Sequence, residues 1–167
     1  MINYREKIKH LDIIIVYNKK SWLHRLIKGV TGYKAGHVAL YAGDEIIIEA
    51  GSTGVNYKKW KKYNKNCLVY MARREKLTES QEVKIRIFCG EAEHKEYAFA
   101  QLLVMAVKYA FRLSRVPDVS KKAMICSEFV AGAFASAGIK LVEKPAHEVT
   151  PGDILTSNEL TIIEGWN

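Results

Sequence analysis

Residues Met124–Gly138 read MICSEFVAGAFASAG, and within them Cys126, Phe129, Val130, Ala133, Phe134 and Ala137 recur at helical spacing. The segment is therefore expected to form a helix with one apolar stripe turned to a core, stopped by Gly138. Cys126 falls in the first turn. There, unpaired backbone N–H groups and the positive end of the helix dipole favour a thiolate over a thiol, which makes Cys126 a candidate nucleophile. Unpaired cysteine is also among the most buried residue types, so the position acquires chemical meaning only with a partner base.

The chain around it has 167 residues, 49% of them hydrophobic, enough for one domain with a real core and too few for two, so residues 1–167 are read as a single unit. Cys67, Cys89 and Cys126 are odd in number and widely spaced, which suggests neither a disulfide framework nor a paired-cysteine zinc or redox site. His10, His24, His37, His94 and His147 are scattered without ligand spacing; no metal and no cofactor is expected, and the histidines other than His37 are expected at the surface. The opening MINYREKIKHLD is charged where a signal peptide turns apolar, and the richest apolar run, Ala98–Phe111, is interrupted by Gln101 and Lys108. It is shorter than the roughly 20 residues of a membrane span. The expectation is a cytoplasmic or phage/virion-associated protein.

The net charge of +8 is concentrated in Lys58–Lys65, Lys19–Lys28 and Arg73–Lys76. Such a balance attracts anions without choosing among them. The run KKWKKYNK at Lys58–Lys65, with Trp60 and Tyr63 interleaved, resembles a single-strand stacking surface, but no nucleic-acid motif accompanies it. It is read as a solvated loop face that could meet an anionic polymer or lipid surface, with no specific nucleic acid.

In chain order, Leu11–Tyr17 (LDIIIVY) reads as a buried strand with Asp12 hydrogen-bonded near its start. Ser21–Val30 reads as a short amphipathic helix capped by Ser21 and stopped near Gly32, its apolar side explained by packing. Gly36–Ala50 (GHVALYAGDEIIIEA) reads as a β-hairpin turning around Gly43 and Asp44. His37 and Glu49, twelve residues apart, reach the same face only if the loop is odd in length or a bulge adjusts the register. Then they lie opposite or diagonal, close enough for the carboxylate to hold the imidazole. Gly51–Asn56 reads as a loop, Cys67–Arg73 as a strand and Thr78–Glu93 as a helix capped by Thr78. Tyr97–Leu113 reads as the most buried helix, with a narrow polar line at Gln101, Lys108 and Arg112. Val116–Lys122 and Pro145–Asp153 read as irregular, and Ile154–Leu155 and Leu160–Trp166 as closing strands. Glu128 lies off the apolar stripe and is expected on the solvent side or at the helix end.

A thiolate attacking an acyl carbon needs a base in hydrogen-bond reach, and the base needs an acceptor on its other nitrogen. His37 can serve as base and then acid, Glu49 can fix its tautomer, and the Cys126 backbone N–H at the helix start is a natural oxyanion donor.

Here the chain resembles a known group. LDIII, then TGYKAGHVALYAGDEIIIEAGSTGV, then ICSEFVAGAF followed by TPGDIL look like the circularly permuted branch of the NlpC/P60 papain-like superfamily, specifically the YiiX/YebB-like group. The resemblance runs from about Leu11 to the C-terminus. It implies an α+β fold in which a mainly antiparallel sheet or open barrel packs against the cysteine helix, with the histidine strand preceding the cysteine. It also implies Cys126 as nucleophile, His37 as base and Glu49 as the orienting third member. Leu11-Asp12 stands where the group often has Gly-Asp, and Lys34-Ala35-Gly36 where it often has serine or threonine close before the histidine. The second departure bears on the rim of the site and so on substrate choice. The expected activity is hydrolysis of an amide or ester through an acyl-thioester, cell-wall peptides and amidated substrates among the candidates. The alternatives are a lipid acyltransferase or phospholipase-like thiol enzyme and a noncatalytic structural or binding protein that retains the fold.

Overall fold

The computed structural model describes residues 7–60, 66–115, 117–118 and 123–166. Its centre is β1 (Ile13–Asn18), whose run of β-branched residues is buried on both faces. On one side β1 pairs with β2 (His37–Gly43), which continues through β3 (Ile46–Gly51) to β4 (Gly54–Lys59); on the other it pairs with β5 (Cys67–Arg73) and then β8 (Thr161–Trp166). All five pairings are antiparallel. A short parallel pair, β6 (Glu96–Tyr97) with β7 (Ala123–Met124), lies apart from that sheet. The fold class is α+β, as the sequence indicates.

Alternation along the strands sends two sets of side chains to two cores. Ile13, Ile15, Val38, Leu40, Ile48 and Val55 meet α4 (Cys126–Ser136) and α2 (Glu79–Ala92); Ile14, Val16, Ala39, Ile47 and Val69 form a smaller cluster with Tyr41 and Trp60 against it. Every stripe residue expected of the cysteine helix, from Cys126 to Ala137, is buried. The helix at Glu79 begins as read, with Thr78 accepting from Gln81 N–H and Gln81 returning the bond to Thr78 N–H. Likewise Ser21 caps α1 (Trp22–Thr31), and Gly32 closes it at φ 79°. Buried Asp12 accepts from Lys9 N–H and from Arg73, which ties the start of β1 to β5.

Several readings are corrected. β4 occupies the second half of the expected Gly51–Asn56 loop, so Lys58 and Lys59 stand on a strand; Lys61–Lys65 lies outside the described residues, as do Val116 and Val119–Lys122 of the other expected loop. The helix expected from Tyr97 begins at Phe99 as α3 (Phe99–Ala110), Tyr97 being in β6. Among the described residues α4 is buried along more of its length than α3. Two members of the polar line point inward, where Gln101 donates to the carbonyls of Pro117 and His147 and Lys108 pairs with buried Glu148, while Val107 and, past the helix end, Arg112 are exposed. Pro145–Asp153 contains a 3₁₀ turn at Ala146–Glu148. Ile154 and Leu155 belong to α5 (Pro151–Leu155), not to a strand, because Thr150 and Asp153 form a reciprocal cap with Pro151 in the first helical turn.

Candidate active site

Cys126 is the first residue of α4, so its backbone N–H lies outside the intrahelical ladder. The helix start is held from three sides. Ser127 donates its hydroxyl to the Val149 carbonyl at 2.5 Å, Glu128 accepts from Ile125 N–H at 3.3 Å, and Met124 pairs with Tyr97 in the parallel ladder. Glu128 thus serves the helix end, but it is buried and not on the solvent side. Its pKa is raised by burial, with the Ile125 N–H pulling the other way.

The hairpin brings His37 and Glu49 together by way of a bulge. Its two-residue turn is Asp44–Glu45, one position later than read, with φ of 49° and 59°. A two-residue turn alone would put residues twelve apart on opposite faces. Between Tyr41 and Gly43 the register shifts: Gly43 pairs with Ile46, but Tyr41 with Ile47 and Leu40 with Ile48. Past that shift the extra residue, Ala42, restores the parity. His37 Nε2–H consequently donates to Glu49 Oε2 at 2.8 Å. The nearby Cys126 acts electrostatically on the same ring. With Nε2 given to Glu49, Nδ1 is the nitrogen left for sulfur.

Burial alone would lower the His37 pKa, but Cys126 and then Glu49 outweigh it and push the imidazole up to about 10. Burial would raise Glu49, but His37 and then Lys58 hold its carboxyl down at about 2. Lys58 Nζ pairs with Oε1, the oxygen His37 does not use. Its strand position is opposite Ile47, diagonal to Glu49. His37, Glu49 and Lys58 therefore form a polar row across three strands. A Cβ at Gly51 would stand 3.1 Å from Glu49 Oε1, so glycine leaves that carboxylate its space.

Two groups that sequence reasoning did not assign to the site lie beside it. Tyr97 stands opposite Met124, two residues before Cys126, and burial first, then the charges of Cys126 and Glu49, raise its phenol. His24, expected at the surface, accepts from Asn18 N–H at Nδ1 at 2.9 Å. Burial, then the nearby His37, lowers it to about 4, so it is neutral with its proton on Nε2. A Cβ at Gly36 would come within 2.3 Å of His24 Cγ, so the close approach of His24 requires glycine there. The alternation of the hairpin announced His37 and Glu49; nothing in the sequence marked Lys58, Tyr97 or His24, because each arrives from another element.

No family model matches the chain. In sequence it is similar to the probable lipoprotein peptidase YaeF of Escherichia coli (strain K12), at 28% identity over 145 residues, 71% of this chain and 53% of that protein. The chain thus spans about half the length of that curated relative. In structure it is similar to the metalloprotein YiiX of Escherichia coli O157:H7, with a TM-score of 0.68 at 16% identity over 93% of this chain and 96% of the other. The fold is that of YiiX. The metal in that protein's name finds no counterpart donor set here: among the described residues no group of three or more His, Cys, Asp or Glu side chains is placed to hold an ion. Among the same residues no helix is long and apolar enough to cross a membrane.

Proposed function

We propose that the protein is a papain-like cysteine hydrolase, with the histidine strand permuted ahead of the cysteine helix, that cleaves an amide or ester through an acyl-thioester. The observation that carries this reading is the His37 imidazole bonded to Glu49 through Nε2, with Cys126, at the start of α4, near enough to perturb the same ring. Cys126 sulfur attacks the acyl carbon, and the Cys126 backbone N–H, at the positive end of α4, receives the developing oxyanion. As the tetrahedral intermediate collapses, the carbon–nitrogen or carbon–oxygen bond breaks and the leaving group takes a proton from the His37 imidazolium. Water then attacks the thioester, giving its proton to His37, and the carboxylic acid departs as the thiol re-forms. Glu49 stays ionised, orienting the ring and stabilising its charge. A peptide substrate, a cell-wall peptide among the candidates, is supported by the name of the relative YaeF.

The test is a screen of γ-D-glutamyl peptides, p-nitrophenyl acyl esters and phospholipids with the wild type, Cys126→Ser and His37→Ala. Turnover should fall by about 10²–10⁴-fold in His37→Ala and vanish in Cys126→Ser, each variant remaining folded under the assay conditions. Turnover that survives Cys126→Ser would end the reading.

A further inference from the structure

The apolar side of α1, expected to pack inward, is partly turned outward. Trp22 is 73% exposed and Leu26, one turn on, 47%. Tyr33, just past the helix, is exposed as well. The neighbouring helix α3, which packs on α1, is followed directly by Phe111, 74% exposed, and exposed Leu113. Scattered apolar residues on a surface need no account, but five large ones on two adjoining helices and the segments that follow them do. Charge accompanies them: Lys19, Lys20, Arg25, Lys34, Arg112 and Arg115 are exposed on the same segments. None of the chain's 18 acids falls in 13–43 or 97–117.

We infer that α1 and the C-terminal end of α3 form a docking face for an anionic lipid bilayer, with Trp22, Leu26, Phe111 and Leu113 entering the acyl boundary and the flanking cations meeting headgroup phosphates. A helix with aromatic and leucine side chains beside lysine and arginine, free of acids, has the chemistry of an interfacial helix. A nucleic acid would match the cations and leave the leucines without a role. A second copy meeting this face about a two-fold axis would set like charges against like. The opposite side of α1 meets the site: His24, about 200° round the helix from Trp22, rests against Gly36, the neighbour of His37. Docking therefore holds His37 about one helix diameter from the bilayer surface, and the substrate is an amphiphile whose amide or ester stands clear of the headgroups. That last step rests on the hydrolase reading, and the docking does not.

The test is flotation of the full chain with vesicles of phosphatidylcholine and phosphatidylglycerol, and of phosphatidylcholine alone. Wild type and Cys126→Ser should float alike with the anionic vesicles, less in high salt. Trp22→Ser/Leu26→Ser and Phe111→Ser/Leu113→Ser should each bind at least about tenfold more weakly, with melting temperature and alkylation of Cys126 unchanged. Failure of the wild type to float, or flotation indifferent to these substitutions, would overturn the docking. So would a lipid-free dimer that the serine variants dissolve. If docking holds but anionic vesicles do not raise turnover of an amphiphilic ester, the placement of the substrate falls; if Cys126 is inert while flotation holds, it is the hydrolase reading that fails.

Discussion

Cys67, Cys89 and Cys126 are buried to nearly the same degree, at 4, 3 and 4% exposure, so access to solvent does not separate them and any difference in reactivity reports the chemistry around each sulfur. Burial pushes the Cys89 thiol up to about 12, where it is inert at neutral pH, whereas Cys126 stands at a helix start beside an imidazole that it perturbs. Iodoacetamide at neutral pH should label Cys126 well ahead of the other two, as read by peptide mass mapping; equal labelling would count against an activated sulfur. The two charged partners give the site opposite pH limbs. His37 is raised from 6.5 to about 10, so its contribution to stability is complete below 6.5 and is lost as pH rises through 10. Glu49 is lowered from 4.5 to about 2, so its contribution is complete above 4.5 and is lost as pH falls through 2. The melting-temperature difference between wild type and His37→Gln/Glu49→Gln should therefore be greatest between these limits, from pH 4.5 to 6.5, and shrink on both sides. Lys58→Gln removes one of the two cations that hold Glu49 ionised, so the acid limb of the activity profile should move to higher pH. An unmoved limb would show that His37 alone sets it.

At the scale of elements, one residue decides whether the site exists. Ala42 is the extra residue between Tyr41 and Gly43, and without it Glu49 would turn to the opposite face from His37. The tight turn beyond it is a separate matter: Asp44 and Glu45 both hold left-handed φ, which favours asparagine and glycine in a two-residue hairpin turn. Asp44→Asn/Glu45→Gly should stabilise the fold by up to about 1 kcal/mol, the added chain entropy of glycine taking back part of the gain, and leave turnover unchanged; a loss of turnover would mean that the turn and the bulge are coupled. The parity argument was legible in the sequence because period two is rigid, and so was the cysteine helix, whose stripe has a single period over its whole length. What stayed hidden is of two kinds. Ile154-Leu155 carries strand propensity, but the Thr150–Asp153 cap overrides it locally. The polar line of α3 looks solvent-facing by pattern, yet Gln101 and Lys108 face inward because acceptors far along the chain, His147 O and Glu148, wait there. Tyr97, Lys58 and His24 belong to this second kind: their place near the His37–Glu49 pair and Cys126 is set by strand and helix neighbours that no local pattern records.

The molecule as a whole ties the cysteine helix α4 to α3 through the segment that follows α4. Gln101 and Lys108 hold the turn at Ala146–Glu148, and the next carbonyl, Val149, accepts from Ser127, the residue after Cys126. Strain at one end of this chain of contacts is thus delivered beside Cys126. The Lys108–Glu148 pair is the costly link, since Glu148 is 5% and Lys108 13% exposed at the side chain, and removing one member of a buried pair destabilises more than replacing both. Lys108→Met should cost roughly 3–5 kcal/mol in urea unfolding, and Lys108→Met/Glu148→Leu should recover most of it. The single variant should also slow the alkylation of Cys126 under conditions where it remains folded, because a loosened turn frees the start of α4 to drift from His37, and the double variant should restore the rate. A single variant that loses stability while alkylating at the wild-type rate would show that the strap holds up the fold alone, and that the hairpin and α4 align the thiol with the imidazole unaided.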